Sequence, residues 1–412
     1  MLRRSFLVAG TAGLASTLVP ALARARDGLP DFATGAAPIG AAERQARVAR
    51  AAELMRQHDI AAVLVEAGTS LRYFTGVQWW RSERLTAAVL TRDGEIAIVT
   101  PFFEEPSVRE SLALPAEVLT WDEDEDPAAT LAQWLSARGL AQGRIGIEET
   151  VRYFAVDGLA AALPDATLVN GNPVVRGCRM VKSPAELALM HRATDITMAA
   201  YRHAAPRIQR GMTPSDIGAL INDATRAMGG VPEFALVLLG EASAYPHGSG
   251  KPQEVRDGEV ILLDCGCNVE GYQSDISRSF VFGEPGSRHR QVWQQMRRGQ
   301  DVAFAAAQLG ATAGSVDEAV RTFYAGLGYG PDYRLPGTSH RTGHGIGLDG
   351  HEPVHLVRGE QTRLAPGMCF SNEPGIYIPG EFGIRLEDCF WMEEDGPRWF
   401  STPAPSIDDP FG

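Results

Sequence analysis

The sequence predicts an α+β chain in two parts: an α/β first half, then a half in which strand hairpins alternate with capped helices. Three observations carry that prediction. Through about the first 170 residues, short apolar runs alternate with charged amphipathic segments. Ser183-Pro184-Ala185-Glu186 and Thr213-Pro214-Ser215-Asp216 each place a hydroxyl, a proline and an acid where a helix start needs a cap, a fixed φ and a reciprocal acceptor. Beyond them, strand-like runs come in pairs around turn residues, with no internal repeat.

In chain order, the N-terminus reads MLRRSFLVAGTAGLASTLVPALARA. Arg3 and Arg4 precede a mildly apolar run, Phe6 to Val19, and Ala23 and Ala25 follow in an Ala-x-Ala pattern. Residues 1–25 therefore read as a cleavable signal of the twin-arginine type, which implies a periplasmic or otherwise exported protein. The run is too short and too rich in Gly, Ala and Thr to stay in a bilayer. Residues 26–40 have loop composition and read as a linker. Ala41 to Gln57 interleaves charges with Val48, Ala52, Leu54 and Met55, a helical pattern. Ile60 to Glu66 reads as a buried strand, followed by strands in LTAAVLT, EIAIVTP, AEVLTW and RIGIEE and a short helix in LAQWLSARGL. The acidic stretch Asp122 to Pro127 reads as a solvated turn. These elements place a first domain at 41–172. A long helix from Ala185 to about Ile208 opens a second, at 180–412.

Composition narrows the function. Hydrophobic content of 44% with 22% charged residues fits a soluble globular protein. A net charge of −13 argues against nucleic acid and anionic membranes as partners. The five cysteines, Cys178, Cys265, Cys267, Cys369 and Cys389, are too few and too scattered for a disulfide framework. Cys265 and Cys267 lack the second Cys or His pair of a zinc site and read as small buried hydrophobes.

The chemistry concentrates in two hairpins. Glu259 to Cys267 and Tyr272 to Phe282 are both strand-like, with Asn268 to Gly271 as the turn. Folded symmetrically about those four residues, the strands set Asp264 directly opposite Asp275. Opposed Cβ atoms lie about 4.5–5.5 Å apart, so two like charges there call for a cation between them. The construction recurs where Ser371–Ile378 and Phe382–Asp388 flank Pro379-Gly380-Glu381, and folding about Gly380 pairs Glu373 with Glu387. A coincidence of exposed acids is the alternative. Against it, Asp264 follows Ile261-Leu262-Leu263 and Glu387 follows Ile384-Arg385-Leu386, apolar settings in which unpaired charge is costly.

Between the hairpins, His340, His344 and His351 fall within twelve residues amid glycines that let the backbone fold tightly. One imidazole could complete a site of four carboxylates, and the others could polarise a carbonyl or donate to an oxyanion. Such a hard, oxygen-rich set favours Mn²⁺, with Co²⁺, Fe²⁺ and Zn²⁺ as alternatives. Two such ions about 3.5–4 Å apart activate water and polarise a scissile carbonyl, so hydrolysis is the natural chemistry.

These residues resemble the metallopeptidase family that includes prolidase (Xaa-Pro dipeptidase), aminopeptidase P, methionine aminopeptidase and the metal-free creatinase. Four ordered blocks carry the resemblance: YPHGSG with His247, LLDCGCNVEGYQSDISRSF with Asp264 and Asp275, HRTGHGIGLDGHE with the three histidines, and NEPGIY with RLED for Glu373 and Glu387. They span about 140 residues. A looser match covers IAAVLVEAGTSLRYFTG, SERL and TPFFE, and RMVKSPAELALMHRA also fits. The resemblance implies a creatinase-like α/β N-terminal domain followed by a pita-bread catalytic domain. It implies that Asp264 holds one metal, that Asp275 and Glu387 bridge two, and that His344 and Glu373 complete the second. Glu373 would also hold the nucleophilic water and move its proton. His247 and His351 would contact substrate and stabilise the tetrahedral intermediate, His340 would line the pocket, and Arg385 would orient Asp264. All five ligand positions are intact, unlike in creatinase, and the N-terminal domain sets the chain apart from methionine aminopeptidase. The implied activity is an exported peptidase that cleaves Xaa-Pro dipeptides, using two divalent ions and acting on small peptides as a homodimer. Aminopeptidase P, acting on longer Xaa-Pro peptides, is the near alternative, and a lyase acting on a small sulfonium compound is the distant one. Trp79 and Trp80 follow the YFTG block, near where a family tryptophan can reach a neighbouring subunit's active site. Ordinary aromatic packing or exposure is the alternative for that pair.

Overall fold

A computed structural model describes residues 28–412; the signal-like segment at 1–25 lies outside the described residues. Residues 28–40 form no helix or strand, in keeping with their composition. Among the described residues, no helix is long and apolar enough to cross a membrane.

The first half contains α1 (Ala41–Gln57), β1 (Ala62–Glu66), α2 (Thr69–Thr75), β2 (Ala87–Thr91), β3 (Ile96–Pro101), α3 (Glu105–Ser111), β4 (Glu117–Trp121), α4 (Pro127–Ala137), β5 (Arg144–Ile147), α5 (Tyr153–Ala162), β6 (Thr167–Asn170) and α6 (Asn172–Arg179). Its six strands form one mixed sheet in the order β4-β3-β2-β1-β5-β6. The central strands β1, β2 and β3 are buried along their whole length, which is why they read as continuous apolar runs rather than alternating ones. The acidic stretch before α4 stays in a turn, and Asp126 caps that helix by accepting from the Ala128 N–H. α6, in the connector between the two halves, packs on α1; a side chain at Gly177 would stand 2.9 Å from Leu54.

The second half contains α7 (Pro184–Ala204), α8 (Pro214–Ala227), β7 (Val231–Leu239), β8 (Val260–Val269), β9 (Tyr272–Gln273), β10 (Ile276–Val281), α9 (Ser287–Ala306), α10 (Ala313–Gly326), β11 (Gly343–Gly345), β12 (Glu352–Leu356), β13 (Cys369–Asn372), β14 (Gly375–Tyr377), β15 (Gly383–Arg385), β16 (Asp388–Glu393) and β17 (Gly396–Trp399). Both α7 and α8 begin with complete capping boxes, Ser183 with Glu186 and Thr213 with Asp216. α7 stops at Ala204, short of the expected Ile208, because a tighter turn at Ala205–Arg207 follows. Two antiparallel sheets, β10-β8-β7 with β9 on β8 and β12-β11-β13-β16-β17, are accompanied by the two-stranded β14-β15 ribbon. One apolar cluster runs from α1 and β1 through α6 and α7 to β8, so the halves share a core. The five cysteines are free and buried.

The register of the first hairpin differs from the expectation. Asp264 lies opposite Ser277, not Asp275, and Val269 pairs with Tyr272. The turn is therefore two residues, Glu270 and Gly271, with φ of +52° and +87°. Positive φ at both central positions suits the right-handed twist of a hairpin better than a four-residue turn does. The strands shift by two residues, and because side chains alternate with period two, Asp275 stays on the face of Asp264 as its diagonal neighbour. The second hairpin keeps the expected register: Asn372 pairs with Asp388 and Gly375 with Arg385, which bracket Glu373 and Glu387 symmetrically about Gly380.

Candidate metal centre

The two hairpins lie edge to edge. The Glu387 N–H donates to the Ser277 carbonyl at 3.0 Å. Ser279 Oγ donates to the Arg385 carbonyl at 2.8 Å and accepts from its N–H at 3.1 Å. The Cys389 thiol donates to the Asp275 carbonyl at 3.3 Å. β11 enters from the other side, where the His344 N–H donates to Ser371 Oγ at 3.0 Å and the Glu373 N–H to the Thr342 carbonyl at 2.9 Å. Three of the four carboxylates sit where their strands are interrupted: Asp275 between β9 and β10, Glu373 between β13 and β14, and Glu387 between β15 and β16. Pro374, which has no N–H to give a ladder, accounts for the break after Glu373.

These seams bring the five donors together. Asp264, Asp275 and Glu387 offer oxygens within 4.8 Å of one another, and in a second group a ring nitrogen of His344 and oxygens of Glu373 and Glu387 lie equally close. Glu387 is common to both, the position a bridging carboxylate needs. His344 Nε2 lies 3.3 Å from Glu373 and 3.6 Å from Asp275. Its Nδ1 lies 3.0 Å from the Gly345 carbonyl, which fixes the tautomer with Nε2 free to ligate. His351 stands edge-on to His344 with ring centroids 4.1 Å apart, and it forms a third possible donor group with Asp275 and His344.

The electrostatics call for a cation. Burial, then the charges of Asp264 and Glu373, push the Asp275 carboxyl well above its ordinary range. Burial and the same cluster raise Glu387 likewise, and Glu373 is pushed up to about 7, chiefly by burial. Burial first, then His351, holds His344 well below the usual imidazole range, so it is neutral and able to bind a metal. Asp264 Oδ1 and Glu387 Oε1 are buried with no hydrogen-bond partner. Unsatisfied buried carboxylate oxygens are expensive, and two of them aimed into one cluster are what metal-ligating oxygens look like. The donor set therefore fits a divalent metal pair.

The surrounding groups hold these carboxylates in place. Arg385 donates to Asp264, to Ser277 Oγ at 3.0 Å and to the Pro246 carbonyl at 3.1 Å. Ser277 Oγ in turn donates to Glu387 at 2.8 Å. Tyr377 hydroxyl sits 3.1 Å from Arg385 and 2.7 Å from His340 Nε2. Burial and the charge of Arg385 hold His340 down to about 3, so it is a neutral partner. All the expected site residues, including the exposed His247, line one cavity of about 470 Å³. Sequence reasoning missed Arg341, Phe234 and Gln273, which also line it. Arg341 stood in view between two histidines, but nothing in β7 or β9 marked Phe234 or Gln273. Ser277 and Tyr377 lay inside the matched blocks without a role.

The chain is similar to known proteins along most of its length. Residues 188–394 match metallopeptidase family M24, and residues 47–181 match the creatinase/prolidase N-terminal domain. The chain is 34% identical over 355 residues to a protein from Mycobacterium tuberculosis described as probable dipeptidase PepE, covering 85% of this chain and 92% of that one. It is 29% identical over 360 residues to the Xaa-Pro dipeptidase of Lactobacillus delbrueckii subsp. lactis, covering 86% of this chain and 96% of the other. The crystal structure of dipeptidase PepE from Mycobacterium ulcerans superposes with a TM-score of 0.82 at 33% identity, covering 89% of this chain and 97% of that one.

Proposed function

Because the chain belongs to metallopeptidase family M24, we propose that it hydrolyses the Xaa-Pro bond of dipeptides with a pair of divalent cations, Mn²⁺ foremost. The observation that carries this reading is the convergence of four carboxylates and one neutral imidazole on a cavity of about 470 Å³, with two carboxylate oxygens left unpartnered. That volume lies toward the small end for ligand sites, which suits a short peptide. The similarity to proteins described as dipeptidases points the same way.

Asp264, Asp275 and Glu387 would hold one cation, and Asp275, Glu387, His344 and Glu373 the other. Bound there, the pair supplies Lewis acidity that activates water and polarises the scissile carbonyl. Glu373 accepts the proton of the attacking water and delivers it to the proline nitrogen as the imide bond breaks. His247 and His351, which both line the cavity, donate to the developing oxyanion. Arg385 fixes Asp264, and His340 braces Tyr377.

One observation favours the aminopeptidase P reading as well. The cavity shares Glu233, Phe234, Leu236 and His247 with a groove of about 860 Å³ between β7 and α8, which would admit a longer peptide. No observation favours elimination from a sulfonium compound. Product analysis separates the three: metal-loaded protein given Gly-Pro, an Xaa-Pro peptide and a sulfonium substrate in parallel should release proline from Gly-Pro fastest. Release of a shortened peptide alone would install the aminopeptidase reading, an alkene product the lyase one, and turnover of none would overturn the proposal.

Two further parts of this reading concern assembly and location. Trp80 is 86% exposed, and Phe102, Phe103, Tyr153 and Phe154 are also exposed on the N-terminal half; this supports a homodimer, which sedimentation would test. Export through residues 1–25 predicts that lysine at both Arg3 and Arg4 leaves unprocessed protein in the cytoplasm.

A further inference from the structure

Glu352 follows His351 directly and is 2% exposed, yet its carboxylate is among the most heavily bonded in the chain. Oε1 accepts from the backbone N–H of Leu348 at 3.0 Å, of Asp349 at 3.1 Å, and from the Arg179 guanidinium at 2.6 Å. Oε2 accepts from Lys182 Nζ at 2.8 Å. Burial opposes its charge, but Lys182 and Arg179 hold its carboxyl down to about 2. The loop 346–351, which joins β11 to β12, thus folds around the side chain of the residue that follows it. Gly347 permits this, since a Cβ there would stand 2.6 Å from Lys182 Cε and 3.0 Å from Glu352 Oε2.

The two charged donors come from elsewhere in the chain. Arg179 ends α6 and Lys182 lies in the link to α7. Arg179 also donates to Asp349 Oδ2 at 2.6 Å and to Ser70 Oγ at 3.1 Å. Thr69 Oγ1 donates to Asp349 Oδ1 at 2.6 Å. Thr69 and Ser70 start α2 of the N-terminal half, so this network ties that half to the loop carrying His351.

We propose that Glu352, held by Lys182 and Arg179, is a positioning residue that sets His351 against His344, and that Thr69 couples the N-terminal half to this setting through Asp349. The proposal rests on the peptidase reading for its rate effects but not for its geometry. A buried ion pair exchanged for apolar side chains of similar volume is often tolerated, whereas the loop amides at Leu348 and Asp349 would lose their acceptor whatever fills the space.

The test is the double variant Glu352→Met/Lys182→Met, with Thr69→Val as the milder probe that leaves the ion pair intact. Three readouts are taken: melting temperature with metal content, kcat and KM on Ala-Pro with Mn²⁺, and the imidazole NMR resonances of the metal-free protein. The expected result for the double variant is a melting temperature lowered by the two lost amide bonds but a folded protein with near-parental metal content, and kcat lower by about 10–100-fold, the range seen when groups supporting a metal site are removed. The His351 resonances should shift, and combining the double variant with His351→Ala should bring little further loss beyond His351→Ala alone. Thr69→Val should move the same resonances less and lower kcat a few-fold. Parental kcat with unmoved His351 resonances would overturn the proposal, as would a kcat loss fully additive with that of His351→Ala. If the double variant does not fold, unmoved resonances in Thr69→Val overturn it alone. If the parent protein cleaves no Xaa-Pro bond, the peptidase reading fails, and the His351 resonances still decide the positioning role.

Discussion

Asp264 and Asp275 reach the site from one unbroken strand and one broken strand, across a turn of two residues; Glu373 and Glu387 both reach it from breaks, across a turn centred on Gly380. In the first hairpin the acids are diagonal neighbours, and in the second they face each other across a gap between two ladders. The difference teaches that a hairpin can deliver a ligand pair without pairing the ligands directly. What it must keep is the face. A slip of two residues preserves the face and a slip of one would reverse it, so the first hairpin tolerates a register that differs from the symmetric one. The breaks supply the remaining freedom, because a residue released from its ladder can turn its carboxylate toward a common centre.

The most severe way to break the comparison is to remove one acid from each hairpin. Asp275→Asn and Glu387→Gln should each empty the site of metal and abolish turnover while the far-UV circular dichroism stays unchanged. The metal-free variants should melt no lower than the metal-free parent, since each loses one charge from a buried cluster of like charges. Full metal content in one variant and none in the other would show that the hairpins contribute unequally. Next in size is removal of the metal itself. Chelation should lower the melting temperature, and restoring Mn²⁺ to about 100 times its dissociation constant should return about 2.7 kcal/mol for each ion bound. Scanning calorimetry with and without chelator reads this directly, and identical melting would count against a metal pair.

A smaller effect is expected at the seam. Ser277 belongs to the first hairpin but donates to Glu387 of the second and accepts from Arg385. Ser277→Ala should keep the fold and weaken metal binding or kcat by about 10–100-fold, as loss of a group supporting a ligand does. Metal titration of the variant checks this; unchanged affinity and rate would mean that the Ser277 hydroxyl does not help hold the two hairpins' ligands in place.

Much of this was legible in the sequence, for reasons that differ by element. The capping boxes at Ser183 and Thr213 were readable because they satisfy local N–H groups with local side chains. The second hairpin's register was readable because Gly380, at φ +83°, sits at its true centre. The first was misread because Asn268 looks like a turn residue, whereas it pairs with Gln273 in the ladder and its side chain accepts from the Gly271 N–H. The helices α3 and α5 escaped notice, as did the lining residues Phe234 and Gln273, whose place is set by tertiary packing rather than local pattern. No spacing rule announces that Glu352 would be reached by Arg179 and Lys182 from about 170 residues away.

The smallest expected effect sharpens the contrast between the two turns. Gly271 and Gly380 have nearly the same φ, +87° and +83°, a region that costs an L-residue about 1–2 kcal/mol. Their surroundings differ. A Cβ at Gly271 would stand 2.3 Å from an Arg72 guanidinium nitrogen, and Arg72 donates to the Glu270 carbonyl at 2.8 Å, so this turn docks on α2 of the N-terminal half. A Cβ at Gly380 meets nothing within 4 Å. Gly380→Ala should therefore cost only the backbone strain, and Gly380→Asn less, because asparagine tolerates this conformation. At Gly271, alanine should cost the same strain plus the displaced Arg72 contact, and asparagine should not recover it, since its larger side chain meets the same guanidinium. Urea unfolding of the four variants with metal bound measures the difference. Equal costs at the two sites would mean that Arg72 moves aside freely and that the first turn is positioned by its own hairpin alone. A larger cost at Gly271, with metal affinity falling in step, would show that α2 helps hold the register that keeps Asp275 on the face of Asp264.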